Sequence, residues 1–176
     1  KMTIKQCGGI IPEPAEETEL EKELKTEVLN AVDAMTEALD NMKLDRGIEQ
    51  VMNAIRAGNR YLEKTAPWAL AKQGATKRLG TVMHTAAEAL RICSGLLHPL
   101  MPGKMNELRE ALGYSPEEAG NINMSELRVW GKLKPGMKLK DTAGLFQRTQ
   151  EERSKEAPKK AEKKKKEAPK KEKELG

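Results

Sequence analysis

Gly58-Asn59-Arg60-Tyr61-Leu62-Glu63-Lys64-Thr65-Ala66-Pro67-Trp68-Ala69-Leu70-Ala71-Lys72 is the stretch on which the fold turns. It reads as the last turns of a helix that runs into a proline. The ring of Pro67 fixes φ at about −65° and removes a backbone donor, so regular helix ends just before it. Trp68 follows at once, at a corner rather than inside the apolar stripe where a core Trp usually lies. Two roles are open to such a side chain. It plugs the end of a bundle, or it offers its face to a ring outside the protein. A base stacked on an exposed aromatic side chain gains about 1–3 kcal/mol, so a corner indole is a candidate platform for nucleic acid.

Working outward, Leu20, Leu24, Val28, Val32, Met35, Leu39 and Met42 step by fours and threes, which predicts an amphipathic helix over 16–42. Acidic residues crowd its first turns, where the positive end of the helix dipole favours them. Asp45 is the predicted N-cap of the next helix. Its buried face reads Ile48, Val51, Met52, Ile55 and Leu62, with Ala54 and Gly58 permitting close approach. Residues 68–72 make a further turn before Gly74. A third long helix over 76–97 carries Leu79, Val82, Met83, Ala86, Leu90, Cys93, Leu96 and Leu97, and Pro99 and Pro102 terminate it. A shorter helix over 104–112 stops at Gly113. Three long amphipathic helices with short connections predict an all-α antiparallel bundle. The scarcity of aromatic and β-branched runs argues against a sizeable sheet.

The two ends differ from the middle. Residues 1–7 read as a helix end stopped by Gly8-Gly9, and the prolines of Ile10-Ile11-Pro12-Glu13-Pro14 hold an extended connection. Lys1 stands inside that helix end, as it would in a fragment. Residues 114–146 form a loop-rich strap, with Ser125 capping one turn and Pro135-Gly136 marking another. Trp130, Leu133, Leu139, Leu145 and Phe146 are expected to return to the bundle, Trp130 in a structural role. The helical domain is set at 1–148 and a Lys/Glu/Ala/Pro-rich tail or linker at 149–176. Glu156-Ala157-Pro158-Lys159-Lys160 recurs there as Glu167-Ala168-Pro169-Lys170-Lys171. Such a segment has too little apolar surface to offset the entropy of ordering, so it reads as disordered.

The 176 residues suit one domain and a tail, with 38% hydrophobic and 34% charged residues. Net charge is +5, but from residue 151 onward there are 11 basic and 7 acidic residues, against 21 and 20 before it. The basic character therefore belongs mainly to the tail. Lys163, Lys164, Lys165 and Lys166 are candidates for sequence-independent contact with RNA phosphates, which weakens steeply with salt. Cys7 and Cys93 are the only cysteines and lack metal or redox spacing, which fits small buried side chains in a reducing cytoplasm. No apolar run is long enough to span a membrane and no export signal opens the chain. Catalysis is poorly supported: there is no Gly-rich phosphate loop between a strand and a helix, and no metal pair. His84 and His98 read as satisfied or surface residues, and the carboxylates as scattered over solvent faces.

Asn59-Arg60-Tyr61 followed by Ala66-Pro67-Trp68 resembles the anticodon-binding domain of methionyl-tRNA synthetase, a class I aminoacyl-tRNA synthetase. The resemblance runs from Lys1-Met2 through Gly8-Gly9-Ile10-Ile11-Pro12. It continues through Leu90-Arg91, Leu96-Leu97-His98-Pro99-Leu100-Met101-Pro102 and Leu112-Gly113, and ends near Leu145-Phe146. It implies an all-α tRNA-binding part of a methionine–tRNA ligase whose partners are methionine tRNA and the catalytic domain of the same synthetase. ATP and methionine would bind that catalytic domain, so no cofactor, metal or catalytic residue is expected in this chain; the family's two nucleotide-site signatures do not occur in it. Trp68 would stack on an anticodon base and Pro67 would orient it. Asn59 and Arg60 would stand beside it, Arg60 pairing with a carboxylate or helix dipole, or with phosphate, and Tyr61 packing. The Asn and Arg that read base edges would lie upstream of Lys1. Two other readings stay open: the equivalent domain of another class I synthetase, and a non-catalytic helical interaction module with a basic RNA-binding tail.

Overall fold

α2 (Glu19–Asp40), α3 (Leu44–Thr65) and α5 (Thr76–Leu97) are the three long helices, and they pack on one another in every pairing. The computed structural model describes residues 2–142 and 144–146. Shorter helices complete the order: α1 (Met2–Gln6), α4 (Pro67–Lys72), α6 (Pro102–Ala111), α7 (Pro116–Gly120) and α8 (Met124–Leu127). Among the described residues the only β-pairing is an isolated antiparallel bridge between Ile10 and Lys138. The all-α expectation therefore holds. The tail from 149, with Lys163, Lys164, Lys165 and Lys166, lies outside the described residues.

The core is built from Leu24, Val28, Val32 and Met35 of α2, Val51, Ala54, Ala57 and Tyr61 of α3, and Val82, Ile92, Cys93 and Leu96 of α5. Burying one such aliphatic side chain contributes about 1.5–3 kcal/mol. The buried face of α3 is turned from the expected one. Ile48, Ile55 and Leu62 flank the core, and Met52 is exposed. The reason is the close approach of α2: a Cβ on Gly47 would lie 2.6 Å from Met35 Sδ and 3.0 Å from Ala38 Cβ. At position 47 only glycine fits. The last apolar positions of α2 miss the core for a related reason. The helix ends at Asp40 and the chain turns through Met42 at φ 56°, so Leu39 is half-exposed and Met42 is 92% exposed. Asp45 does not cap α3; Lys43 precedes the helix and Asp45 stands in its first turn. On α5, Leu90 faces outward.

The strap is fastened to α5 by charge as well as by apolar contact. Glu88 is fully buried, and its carboxylate accepts the N–H groups of Gly131 (2.7 Å), Lys132 (3.1 Å) and Leu133 (3.0 Å). Arg91 donates to the same carboxylate from Nε (2.9 Å) and Nη2 (2.8 Å), and Nη2 also reaches the Val129 carbonyl at 2.8 Å. His84 Nε2 meets the Leu133 carbonyl at 3.2 Å, so His84 is a satisfied core residue. Leu133 is buried, and Trp130 and Leu139 pack as expected, but Phe146 is exposed. The cap of α8 is Asn123, whose side chain accepts from Ser125 N–H, and not Ser125 itself. α7 is an element the apolar pattern did not signal; Ser115 and Glu118 cap it reciprocally.

Candidate functional site

The corner between α3 and α4 is made by one residue. Ala66 adopts the left-handed region (φ 43°, ψ 60°), closing α3 with an N–H bond to the Leu62 carbonyl at 3.0 Å. For a residue with a Cβ this conformation costs about 1–2 kcal/mol. The Ala66 carbonyl then starts α4, accepting from Ala69 at 2.8 Å and Leu70 at 3.2 Å. Pro67 takes the first helical position, where its missing N–H leaves nothing unpaired. Its ring is buried, and the next side chain, Trp68, stands 50% exposed. Leu70 packs on the core beneath it. The indole thus sits on a short helix anchored from below, with half its surface facing solvent.

Asn59 and Arg60 lie in the last turns of α3 and are exposed. Arg60 lines an open groove of about 490 Å³ between α2 and α3, together with Leu20, Glu23, Glu27, Tyr61 and Lys64. Trp68 does not line it. The structure therefore brings Asn59 and Arg60 together, and Pro67 and Trp68 together, without merging the four in one cavity. The expected carboxylate partner of Arg60 is absent among the described residues. In that groove Glu23 pairs instead with Lys64, at 3.7 Å.

Beneath the corner lies a buried polar cluster that the sequence did not reveal. Glu21 is 1% exposed, which corrects the expectation that all carboxylates lie on solvent faces. Arg78, from the start of α5, grips it bidentately, from Nη1 to Oε2 at 2.9 Å and from Nη2 to Oε1 at 2.8 Å. Thr18 donates its N–H at 2.7 Å and its hydroxyl at 2.6 Å. Tyr61 donates its hydroxyl to Oε1, which it shares with Arg78 Nη2. Burial by itself pushes the Glu21 carboxyl up, but the bonds from Arg78, Thr18 and Tyr61 outweigh it and hold the group down at about 2. Burial and the adjacent Glu21 charge push the Tyr61 phenol well above its ordinary range. The packing role expected of Tyr61 is thus accompanied by a hydrogen bond between helices. The signal available in the sequence was Thr18-x-x-Glu21, the pattern of a capping box.

No other chemistry competes with this corner. Among the described residues no group of His, Cys, Asp and Glu side chains could hold a metal ion, and no helix is long and apolar enough to cross a membrane. His98 is satisfied by Asn106, at 2.9 Å. Burial pushes the Cys93 thiol up to about 12 and also raises Cys7, so neither is an activated nucleophile.

Residues 11–165 match the family model described as the anticodon binding domain of methionyl tRNA ligase. The chain is 35% identical over 150 residues to the methionine–tRNA ligase of Deinococcus radiodurans, covering 85% of this chain and 21% of that protein. It is 34% identical over 129 residues to the Enterococcus faecalis enzyme of the same name, covering 71% and 19%. The chain thus spans about a fifth of the length of these relatives. In fold it is similar to the apo form of Mycobacterium tuberculosis methionyl-tRNA synthetase, with a TM-score of 0.77, 24% identity and coverage of 85% of this chain and 30% of that one.

Proposed function

We propose that this chain, which belongs to the family of anticodon-binding domains of methionyl-tRNA ligase, reads the anticodon of methionine tRNA for a larger synthetase. The catalytic region, with its sites for ATP and methionine, then lies in the part of the relatives that this chain does not span. In this reading Trp68 is a stacking platform for an anticodon base. Pro67 sets its direction, Asn59 and Arg60 face the same RNA, and Lys163, Lys164, Lys165 and Lys166 add contacts to phosphates that carry no sequence information.

The observation that carries the reading is the exposure of Trp68 on an otherwise anchored corner. A free indole on a loop would be ordered by binding at an entropic cost. Here the backbone is already fixed, so stacking retains most of its gain. No acidic residue occurs from Lys64 to Ala87, while Lys72 and Lys77 do, so this part of the surface suits a polyanion.

The test is a fluorescence titration of Trp68 in a Trp130→Phe background, using a methionine anticodon stem-loop beside one with an altered anticodon. Selective quenching by the first supports the reading, and Trp68→Ala should then weaken binding by about 1–3 kcal/mol. Equal, salt-sensitive binding to both loops would assign the affinity to the Lys-rich segment, and no binding would favour an interaction module.

A further inference from the structure

Tyr61, one turn before the end of α3, and Arg78, in the first turn of α5, bracket an excursion of the chain that carries α4 and Trp68. Both ends of this excursion donate to one carboxylate on a third element, Glu21 of α2. We propose that Glu21, Tyr61 and Arg78 form a positioning clasp that fixes the Trp68 corner in the arrangement that accepts a base. The proposal rests on the reading of Trp68 as a stacking platform. None of the three touches the RNA; they act through the backbone that carries the indole.

Three observations support a positioning role over a purely cohesive one. First, the corner contains its own strain. Ala66 holds a left-handed conformation directly before a proline, and such a residue persists only where its surroundings over-determine it. Secondly, the clasp reaches the strained residue by a short path. Tyr61 donates to Glu21 with its hydroxyl while its carbonyl accepts from the Thr65 hydroxyl at 2.7 Å, and Thr65 immediately precedes Ala66. Thirdly, the cluster is polar where apolar packing would serve cohesion. A buried ion pair gains little over well-packed aliphatic side chains, and its best-attested use is to select one arrangement among several. α4 itself has six residues and cannot hold its orientation unaided.

The experiment uses the full 176-residue chain in the Trp130→Phe background, with Tyr61→Phe, which deletes only the hydroxyl, and Arg78→Lys, which keeps the charge and loses the fork. Acrylamide quenching and emission of Trp68 are measured first, then affinity for the methionine anticodon stem-loop, with helicity followed by circular dichroism. Helicity retained, an altered quenching constant for Trp68 and binding weakened about tenfold would support the clasp. Quenching and emission identical to the parent in the folded variants, with only the thermal midpoint lowered, would overturn it. If Tyr61→Phe fails to fold, Arg78→Lys decides alone. The two ideas fail separately: Trp68→Ala binding as tightly as the parent would remove the platform, whereas unchanged indole accessibility in the clasp variants would remove the clasp.

Discussion

Arg91 grips Glu88 through two parallel hydrogen bonds three residues along the same helix, with both side chains buried. The pair is complete only because the strap is present. Three successive N–H groups of the strap also donate to Glu88, and the Val129 carbonyl takes a further Arg91 donor. The ion pair is thus the receptor on α5 into which residues 129–133 are plugged.

Removing one half of this pair leaves a buried charge without its partner, which costs about 3–5 kcal/mol. Glu88→Ala is therefore expected to destabilise the domain by that amount in urea unfolding. Amide exchange at Gly131, Lys132 and Leu133 should accelerate beyond that of α2 and α3. Uniform acceleration everywhere would show that the strap is held by its apolar residues, Leu133 and Leu139, and not by Glu88.

Glu21 gives the domain an acid limb. Its folded carboxyl sits at about 2 against an ordinary value of 4.5, so over that interval the unfolded chain binds more protons than the folded one. Stability contributed by Glu21 is fully present above about pH 4.5 and is lost as pH falls towards 2. In Glu21→Gln this contribution is absent at every pH. The stability difference between parent and variant should accordingly shrink steadily between pH 5 and pH 2.5 in denaturant titrations. A difference that stays constant across that range would mean that Glu21 titrates normally.

Two substitutions of opposite sense test the backbone of α3 and its corner. At Ala66 the left-handed conformation penalises the Cβ, so Ala66→Gly should stabilise by about 0.5–1 kcal/mol once the extra entropy of glycine is set against the relieved strain. At Gly58, inside α3, an added Cβ meets nothing within 4 Å, and Gly58→Ala should stabilise by about 0.5–1 kcal/mol through helix propensity alone. Thermal midpoints read both. A lower midpoint for Ala66→Gly would indicate that the corner is not strained in solution.

The sequence displayed what depends on local chemistry. The stripe of Leu24, Val28, Val32 and Met35 follows from periodicity, and the α3–α4 corner follows from Pro67, whose ring acts on its own neighbours. What it hid depends on partners remote along the chain. The burial of Glu21 is decided by Arg78, 57 residues away, and that of Glu88 by backbone groups 43–45 residues away. No spacing rule links such groups. The rotation of the α3 face belongs to the same class: Val51 and Ala54 are buried as expected, but the approach of α2 adds Gly47 and Ala57 and leaves Met52 outside. Asn123, the true cap of α8, lies two residues before the Ser125 that the sequence suggested, an error of local register rather than of principle.

Gly95 is the tightest glycine of α5, and its role follows from the short helix packed against it. A Cβ there would lie 2.5 and 2.8 Å from the two methyl groups of Leu127 and 3.2 Å from its branching carbon. Leu127 is buried in the main core and closes α8, whose start is held by the Asn123 cap. The side chain therefore has little room to retreat. Gly95→Ala gains about 1 kcal/mol of helix propensity but incurs an overpacking cost of about 1–3 kcal/mol, and a net loss of about 0.5–2 kcal/mol is expected. Leu127→Val removes volume at the point of collision and by itself should cost about 1 kcal/mol. Combined, the two changes should be less destabilising than their sum by more than about 0.5 kcal/mol, because the added methyl occupies the space vacated. A double-mutant cycle in urea measures that coupling. Strict additivity would mean that α8 moves away from α5 as a unit, and that the contact between Gly95 and Leu127 does not set their separation.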